Sequence, residues 1–298
     1  MNKLFYFLKP YFSETIWASN ELKNYFQTNK NVGEAWLISA LRGKQSFVLE
    51  LPLDQFYQEN PDFFNFYPAK EYPNLHKIIS AKADLSIQVH PNDDFARQFN
   101  SKGKDECWFV LSAKNPFVIG AKALTIESFF HNLQEQDLEK WKQILVYKNL
   151  QKGDFCYIPA GLIHAIPQET TVYELQQASD ITYRVFDYNR RDQNGDLREL
   201  HLDKARQTIN LNTKAIIVKN QEKLVQNKYF NLSKIELKNT FTLQFDKETF
   251  WFEAVIVEGA GEINNEKFQK YDAIIIKNQK EIPIVFKGEA IILLNKIR

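Results

Sequence analysis

Two histidines, a glutamine and a glutamate are spaced along this chain so that they can meet on one ion. In Leu85-Ser86-Ile87-Gln88-Val89-His90-Pro91, Gln88 and His90 stand two residues apart. Strand side chains alternate, so these polar groups face one side while Ile87 and Val89 face the other. Left unpaired on an inward face they would cost roughly several kcal/mol, and a metal would satisfy both. Gly103-Lys104-Asp105-Glu106-Cys107-Trp108-Phe109 reads as another strand with a carboxylate near its start. Gly153 to His164 reads as a turn, a short aromatic strand, a tight Pro159-Ala160-Gly161 turn, and a histidine opening the next strand. Gln88, His90, Glu106 and His164 form a nitrogen and oxygen set suited to a borderline divalent ion, zinc first. Glutamine is an unusual zinc ligand, and the set leaves room for water or substrate. That is the pattern of a catalytic site. Ser86 and Lys104 each precede a ligand by two residues and share its face.

Short strands must hold such a site, and the pattern supplies them. From Leu75 to Ile119 the chain is strand after strand, after a first fifty residues that mix aromatic strands with a helix around Ser19 to Phe26. Asp54 to Asp62 is a polar, helix-like excursion ended by Pro61. Thr125 to Val146 is the best helical stretch, with Ile126, Phe129, Phe130, Leu133, Leu138, Trp141 and Leu145 at spacings near three and four. Ser128 or Asn132 is placed near a helix boundary. His201 to Gln207 reads as a short helix. Beyond about Asn212 come further strand-like runs, at Thr240–Phe245, Phe250–Val257, Ala273–Ile276 and Ala290–Leu294. Glu258-Gly259-Ala260-Gly261-Glu262 and Asn278 to Glu281 read as turns between them. The last histidine is His201, so a site of the first kind cannot be repeated within this final segment. The expectation is a mainly β chain with a domain over 1–210, its helical segment at about 125–146, and a smaller β domain over 211–298 without a metal site.

The spacing G-x5-P-x-G-x2-H, from Gly153 to His164, is similar to the second motif of the cupin barrels. More specifically, the chain resembles the type I phosphomannose isomerases in their short bacterial form. Five blocks carry the likeness, in the family's order. They are an opening from Leu8-Lys9-Pro10 through Ile16-Trp17 to Gly33–Ser39; Leu85 to Pro91; Gly103-Lys104-x-Glu106-x-Trp108; Pro159 to Ala165; and Glu174 to Tyr188, which contains Arg184. Together they span most of residues 1–205. The resemblance implies a cupin (double-stranded β-helix, jelly-roll) barrel followed by a second, smaller cupin-like domain. It also implies one divalent ion, zinc, held by Gln88, His90, Glu106 and His164. Departures are Asp105 where Pro or Thr is usual, Ala18 where Gly is common, and Ala35 where Cys or Ser is common. None removes a ligand or Arg184.

The implied reaction interconverts mannose 6-phosphate and fructose 6-phosphate through an enediol or enediolate. The resemblance marks Arg184 as catalytic and Lys104 as a substrate contact, and Ser86, on the inward face with Gln88, is a candidate to touch sugar or phosphate. A guanidinium is a permanent cation that can stabilise an enediolate but is a poor base. Glu174 and Asp180 remain open as base, orienter or ion-pair partner of Arg184. Bland readings exist for each residue. An isolated histidine is more often a hydrogen-bonded core residue, and an arginine is often a structural ion-pair partner. Two functional alternatives stand beside the isomerase. One is a non-catalytic sugar-phosphate sensor, and the other is a cupin isomerase for another sugar phosphate.

Composition excludes more than it selects. A chain of 298 residues can bury one large core or two moderate ones, and its net charge of +1 favours neither nucleic acid nor an anionic membrane. No apolar run reaches a membrane-spanning length and no signal-peptide pattern opens the chain, so a cytoplasmic location is expected. Cys107 and Cys156, both inside strands, are expected as buried free thiols. A monomer or homodimer acting on a small sugar phosphate is the expected state. His76 and His131 are expected as surface or packing residues.

Overall fold

The computed structural model describes residues 3–123, 125–133, 138–192 and 194–298. They form antiparallel β-sheets joined by short helices, the expected mainly β architecture. The chain divides into two compact units. One gathers the segments up to Tyr11, Trp36–Ile78 and Asn220–Arg298, and the other gathers Phe12–Ala35 and Ile79–Lys219. The expected division at 210/211 cuts the chain once, whereas these units are assembled from interleaved segments.

The unit that carries the candidate ligands is built on two sheets. One has the order Leu145–Lys148, Phe117–Ala121, His164–Ala165, Ile87–Val89, Tyr183–Phe186. The other runs Ile216–Val218, Phe155–Ile158, Glu106–Ala113, Thr170–Gln177, and continues through the parts of the Asn74–Ala81, Val32–Ile38 and Tyr11–Glu14 strands that belong to this unit. Period-two alternation sorts their side chains. Trp108, Phe117, Ile119, Cys156, Ile158 and Leu162 form one buried cluster. Their chain neighbours Val118 and Ile163 turn the other way, joining Ile87 and Val89 against the aromatic residues Phe129, Phe130 and Trp141. The face opposite Ile87 and Val89 is thereby left to Gln88 and His90.

The helical stretch departs from expectation. It forms two helices, Ile126–Leu133 and Leu138–Ile144, and Leu145 already begins a strand. Residues 134–137 lie outside the described set. The change at Leu145 follows from Val146 and Tyr147, which suit a pleated surface, and Tyr147 pairs with Val118. The first helix opens on a reciprocal pair: Ser128 N donates to Thr125 Oγ1 and Thr125 N donates to Ser128 Oγ. The boundary thus falls at Thr125, with Ser128 closing the pair from inside. The helices expected near 19–26, 54–62 and 201–207 are Asn20–Tyr25, Leu53–Glu59 and Leu202–Thr208. Ser19 caps the first by accepting from Glu21 N.

The other unit centres on two long paired strands, Trp251–Ile263 and Ile284–Ile297. Ala273–Lys277 flanks the first of these, and the N-terminal strand Phe5–Lys9 pairs onto its outer edge. Phe252, Ala254, Ile274, Ile276, Phe286 and Ile292 make its core. The glycine-rich run expected as a turn is strand instead. A Cβ on Gly259 would lie 2.1 Å from Glu289 O, and one on Gly261 would lie 2.1 Å from Lys287 O. These glycines let two backbones approach closely, and the chain reverses only at Asn264 and Asn265, both in the left-handed region. Cys107 and Cys156 are buried and unbridged.

Candidate functional site

His90, Glu106 and His164 converge from three different strand regions. One ligand atom from each lies within 4.8 Å of the others, and all three residues are buried. His90 Nε2 is 3.1 Å from Glu106 Oε2, and His164 Nε2 is 3.3 Å from Glu106 Oε1. Gln88 is the direct cross-strand partner of His164, and its Nε2 lies 3.4 Å from His164 Nε2. Ser86 Oγ donates to Gln88 Oε1 at 3.3 Å, which holds the amide. Half a turn of that amide would face Oε1 towards the histidines and Nε2 towards Ser86, whose hydroxyl also accepts.

The donor set suits a cation. His164 Nδ1 donates to Leu162 O at 2.9 Å, which fixes the tautomer and leaves the Nε2 lone pair pointing into the cluster. Burial, then the Lys104 ammonium, pushes His90 down to about 3, and burial also lowers His164. Both imidazoles are therefore neutral, the form that ligates metals. Burial alone would raise Glu106. The Lys104 ammonium is the chief influence against burial, and the carboxyl is held well below the usual range. Neither Glu106 oxygen accepts a hydrogen bond of proper geometry, although Lys104 Nζ is 2.7 Å from Oε2. A buried carboxylate with unfilled lone pairs beside two neutral imidazoles matches what a divalent ion requires.

The remaining singled-out residues lie around this cluster. Lys104 is buried, and its Nζ is also 3.0 Å from His90 Nε2, so it stands among the ligand atoms. Arg184 is the cross-strand partner of Gln88. His164, Gln88 and Arg184 therefore follow one another across three adjacent strands, on one face. Arg184 Nη1 donates to Glu199 O at 3.0 Å, and its backbone N donates to His201 Nδ1 at 3.2 Å. Glu174 Oε2 accepts from Trp108 Nε1 at 3.0 Å, and the Trp108 ring meets His164 edge-on. Asp180 is exposed. Sequence reasoning passed over Gln176, the buried cross-strand partner of Glu106. Its place two residues after Glu174 in a period-two run was the available signal.

Of His76 and His131, His76 is the packing residue, fully buried in the other unit, with Nε2 2.8 Å from Glu253 Oε2. His131 is exposed, as expected.

Residues 10–118 match the family model of the phosphomannose isomerase type I catalytic domain. The chain is 37% identical over 217 residues to "Probable mannose-6-phosphate isomerase GmuF" of Bacillus subtilis (strain 168), an alignment taking in 69% of this chain and 68% of that protein. The chain belongs to the type I phosphomannose isomerase family. A second member, "Mannose-6-phosphate isomerase ManA" of the same organism, is 35% identical over 214 residues, covering 68% of this chain and 67% of its own. The crystal structure of the mannose 6-phosphate isomerase from Bacillus subtilis superposes on 99% of this chain and 100% of its own, with a TM-score of 0.88 and 27% identity. The phosphomannose isomerase cupin fold thus extends over both units, beyond the segment that the family model matches. Among the described residues no helix is long and apolar enough to cross a membrane.

Proposed function

We propose that this chain is a zinc-dependent mannose-6-phosphate isomerase of the cytoplasm, interconverting mannose 6-phosphate and fructose 6-phosphate through an enediolate. The observation that carries the reading is the row His164, Gln88, Arg184 on adjacent strands, with His90 and Glu106 closing on the same point. In this reading Gln88, His90, Glu106 and His164 hold the ion. When bound, it supplies Lewis-acid polarisation of a sugar oxygen.

The protein's own groups do the rest. Aldose–ketose isomerisation moves a proton between C2 and C1 while negative charge develops on oxygen. Arg184 presents a planar fork of donors and is a poor base, so it stabilises that oxygen rather than abstracting the proton. Its neighbours His201 and Glu199 O fix the strand and the guanidinium. Lys104 balances Glu106 from 2.7 Å. From that place the Lys104 ammonium is available to meet a substrate oxygen. Ser86 orients the Gln88 amide, and from the same face it reaches the sugar.

The test is a coupled assay for mannose 6-phosphate isomerisation before and after chelation, with zinc then restored. Turnover that disappears with the chelator and returns with zinc is the expected result. A protein that binds zinc stoichiometrically yet turns over no mannose 6-phosphate would sink the substrate assignment. The sugar-phosphate sensor, or an isomerase for another sugar phosphate, would then replace it.

A further inference from the structure

Asp105 sits between Lys104 and Glu106. It is only 7% exposed. Its Oδ1 accepts twice, from Tyr157 Oη at 2.8 Å and from Ala160 N at 3.0 Å. Ala160 is the middle of the Pro159–Gly161 turn that leads into His164, and Tyr157 lies on the strand just before that turn. One carboxylate oxygen thus ties the segment bearing Glu106 to the segment bearing His164.

The backbone of Asp105 completes the tie. Its N–H donates to Gln177 Oε1 at 2.9 Å, and its carbonyl accepts from Gln177 N at 3.1 Å. Gln177 Nε2 in turn donates to Asp93 Oδ1 at 3.0 Å, which also accepts from Gly103 N at 3.0 Å. Asp93 follows His90 by three residues, and a Cβ on Gly103 would stand 2.5 Å from Asp93 N, so this approach is closely packed. Lys104 N donates to Pro91 O at 2.9 Å, and Gly161 N donates to His90 O at 2.8 Å. All three segments carrying His90, Glu106 and His164 therefore meet in one hydrogen-bond set, and Asp105 is the side chain that reaches the turn. A proline at 105 would lack both the carboxylate and the N–H. A threonine would keep the N–H but offer one hydroxyl in place of a charged acceptor.

We infer that Asp105 is a positioning residue for the metal-binding cluster, holding the Pro159–Gly161 turn so that His164 meets Glu106 and His90. This rests on the reading that the cluster binds a divalent ion. Groups that orient ligands from behind change metal affinity by about 10- to 100-fold when removed.

The experiment measures zinc dissociation constants by competition with a chromogenic chelator. It compares the wild-type chain with Asp105→Ala, Asp105→Asn and Tyr157→Phe, alongside kcat and KM at saturating zinc and the melting temperature of each metal-free protein. Asp105→Ala is expected to bind zinc about 10- to 100-fold more weakly and to lose kcat rather than gain KM. Asp105→Asn keeps an oxygen for both bonds and is expected to restore affinity to within about 3-fold. Tyr157→Phe removes one of the two bonds and is expected to fall between them. Asp105→Ala with wild-type zinc affinity overturns the inference, whatever its melting temperature, and so does Asp105→Asn failing as badly as Asp105→Ala. Should Asp105→Ala not fold, wild-type affinity in Tyr157→Phe overturns it equally. A wild-type chain that binds no zinc instead removes the metal reading itself, which separates the two failures.

Discussion

Two buried glutamates face histidines in this molecule, one in each compact unit, and they do opposite things. Glu253 is saturated. It accepts from Tyr72 Oη at 2.5 Å, Asn295 Nδ2 at 2.8 Å and Asn74 Nδ2 at 3.3 Å, and pairs with His76 Nε2 at 2.8 Å. Trp251 Nε1 donates to Tyr72 Oη and closes the set from the far side. Glu106 is just as buried, but its oxygens face two imidazole Nε2 atoms and one ammonium, with no hydrogen bond of proper geometry. Burial and a neighbouring histidine therefore do not distinguish a candidate metal cluster from a structural hydrogen-bond set. What distinguishes them is whether the lone pairs are already filled.

The comparison is broken first by removing ligands. His164→Ala is expected to lose zinc and isomerase activity together, to background, which parallel metal analysis and assay would show. Arg184→Ala is expected to keep zinc stoichiometry while kcat falls by about 10²- to 10³-fold, the usual cost of deleting a preorganised donor to a developing oxyanion. Equal loss of zinc would make Arg184 a structural residue. Glu253→Gln is expected to destabilise the fold, because Tyr72, Asn295, Asn74 and His76 lose the carboxylate they share. Zinc affinity and activity per folded molecule should stay near wild type, and denaturant titration together with the assay reads both.

The smallest effect sharpens the contrast through pH, in the metal-free protein. His90 titrates near 6.5 when unfolded but at about 3 when folded. As pH falls through that window the unfolded chain takes up a proton that the folded chain refuses, so stability declines. Glu253 is held below its ordinary 4.5, where burial pulls upward and is outweighed by His76 together with the hydrogen bonds from Tyr72 and Asn295. Its contribution is fully present above 4.5 and disappears as pH falls through the folded value. Melting curves against pH should thus show acid weakening that begins below about 6.5, with a further component below about 4.5 that Glu253→Gln lacks.

Parts of the candidate cluster were legible because their geometry is local. Gln88 and His90 share a face through strand alternation alone, and the Pro159–Gly161 turn is written in residues that restrict the backbone directly. Ser19 and the short helix after it were legible for the same reason. Other features were not. Gly259 and Gly261 look like turn residues, yet each lies in a strand because a partner backbone some thirty residues away needs the space of a missing Cβ. His76 showed no partner because Glu253 is 177 residues distant in the chain.

Taken alone, the sequence determined which residues could bind an ion, which of them share a face, and which family's motifs they compose. These follow from near-neighbour sterics and fixed spacing. Tertiary structure alone decided that N-terminal segments build one unit with the last quarter of the chain, and that Glu253 is satisfied while Glu106 is not. Those outcomes depend on which distant surfaces are buried against each other, and that competition leaves no periodic trace in the chain.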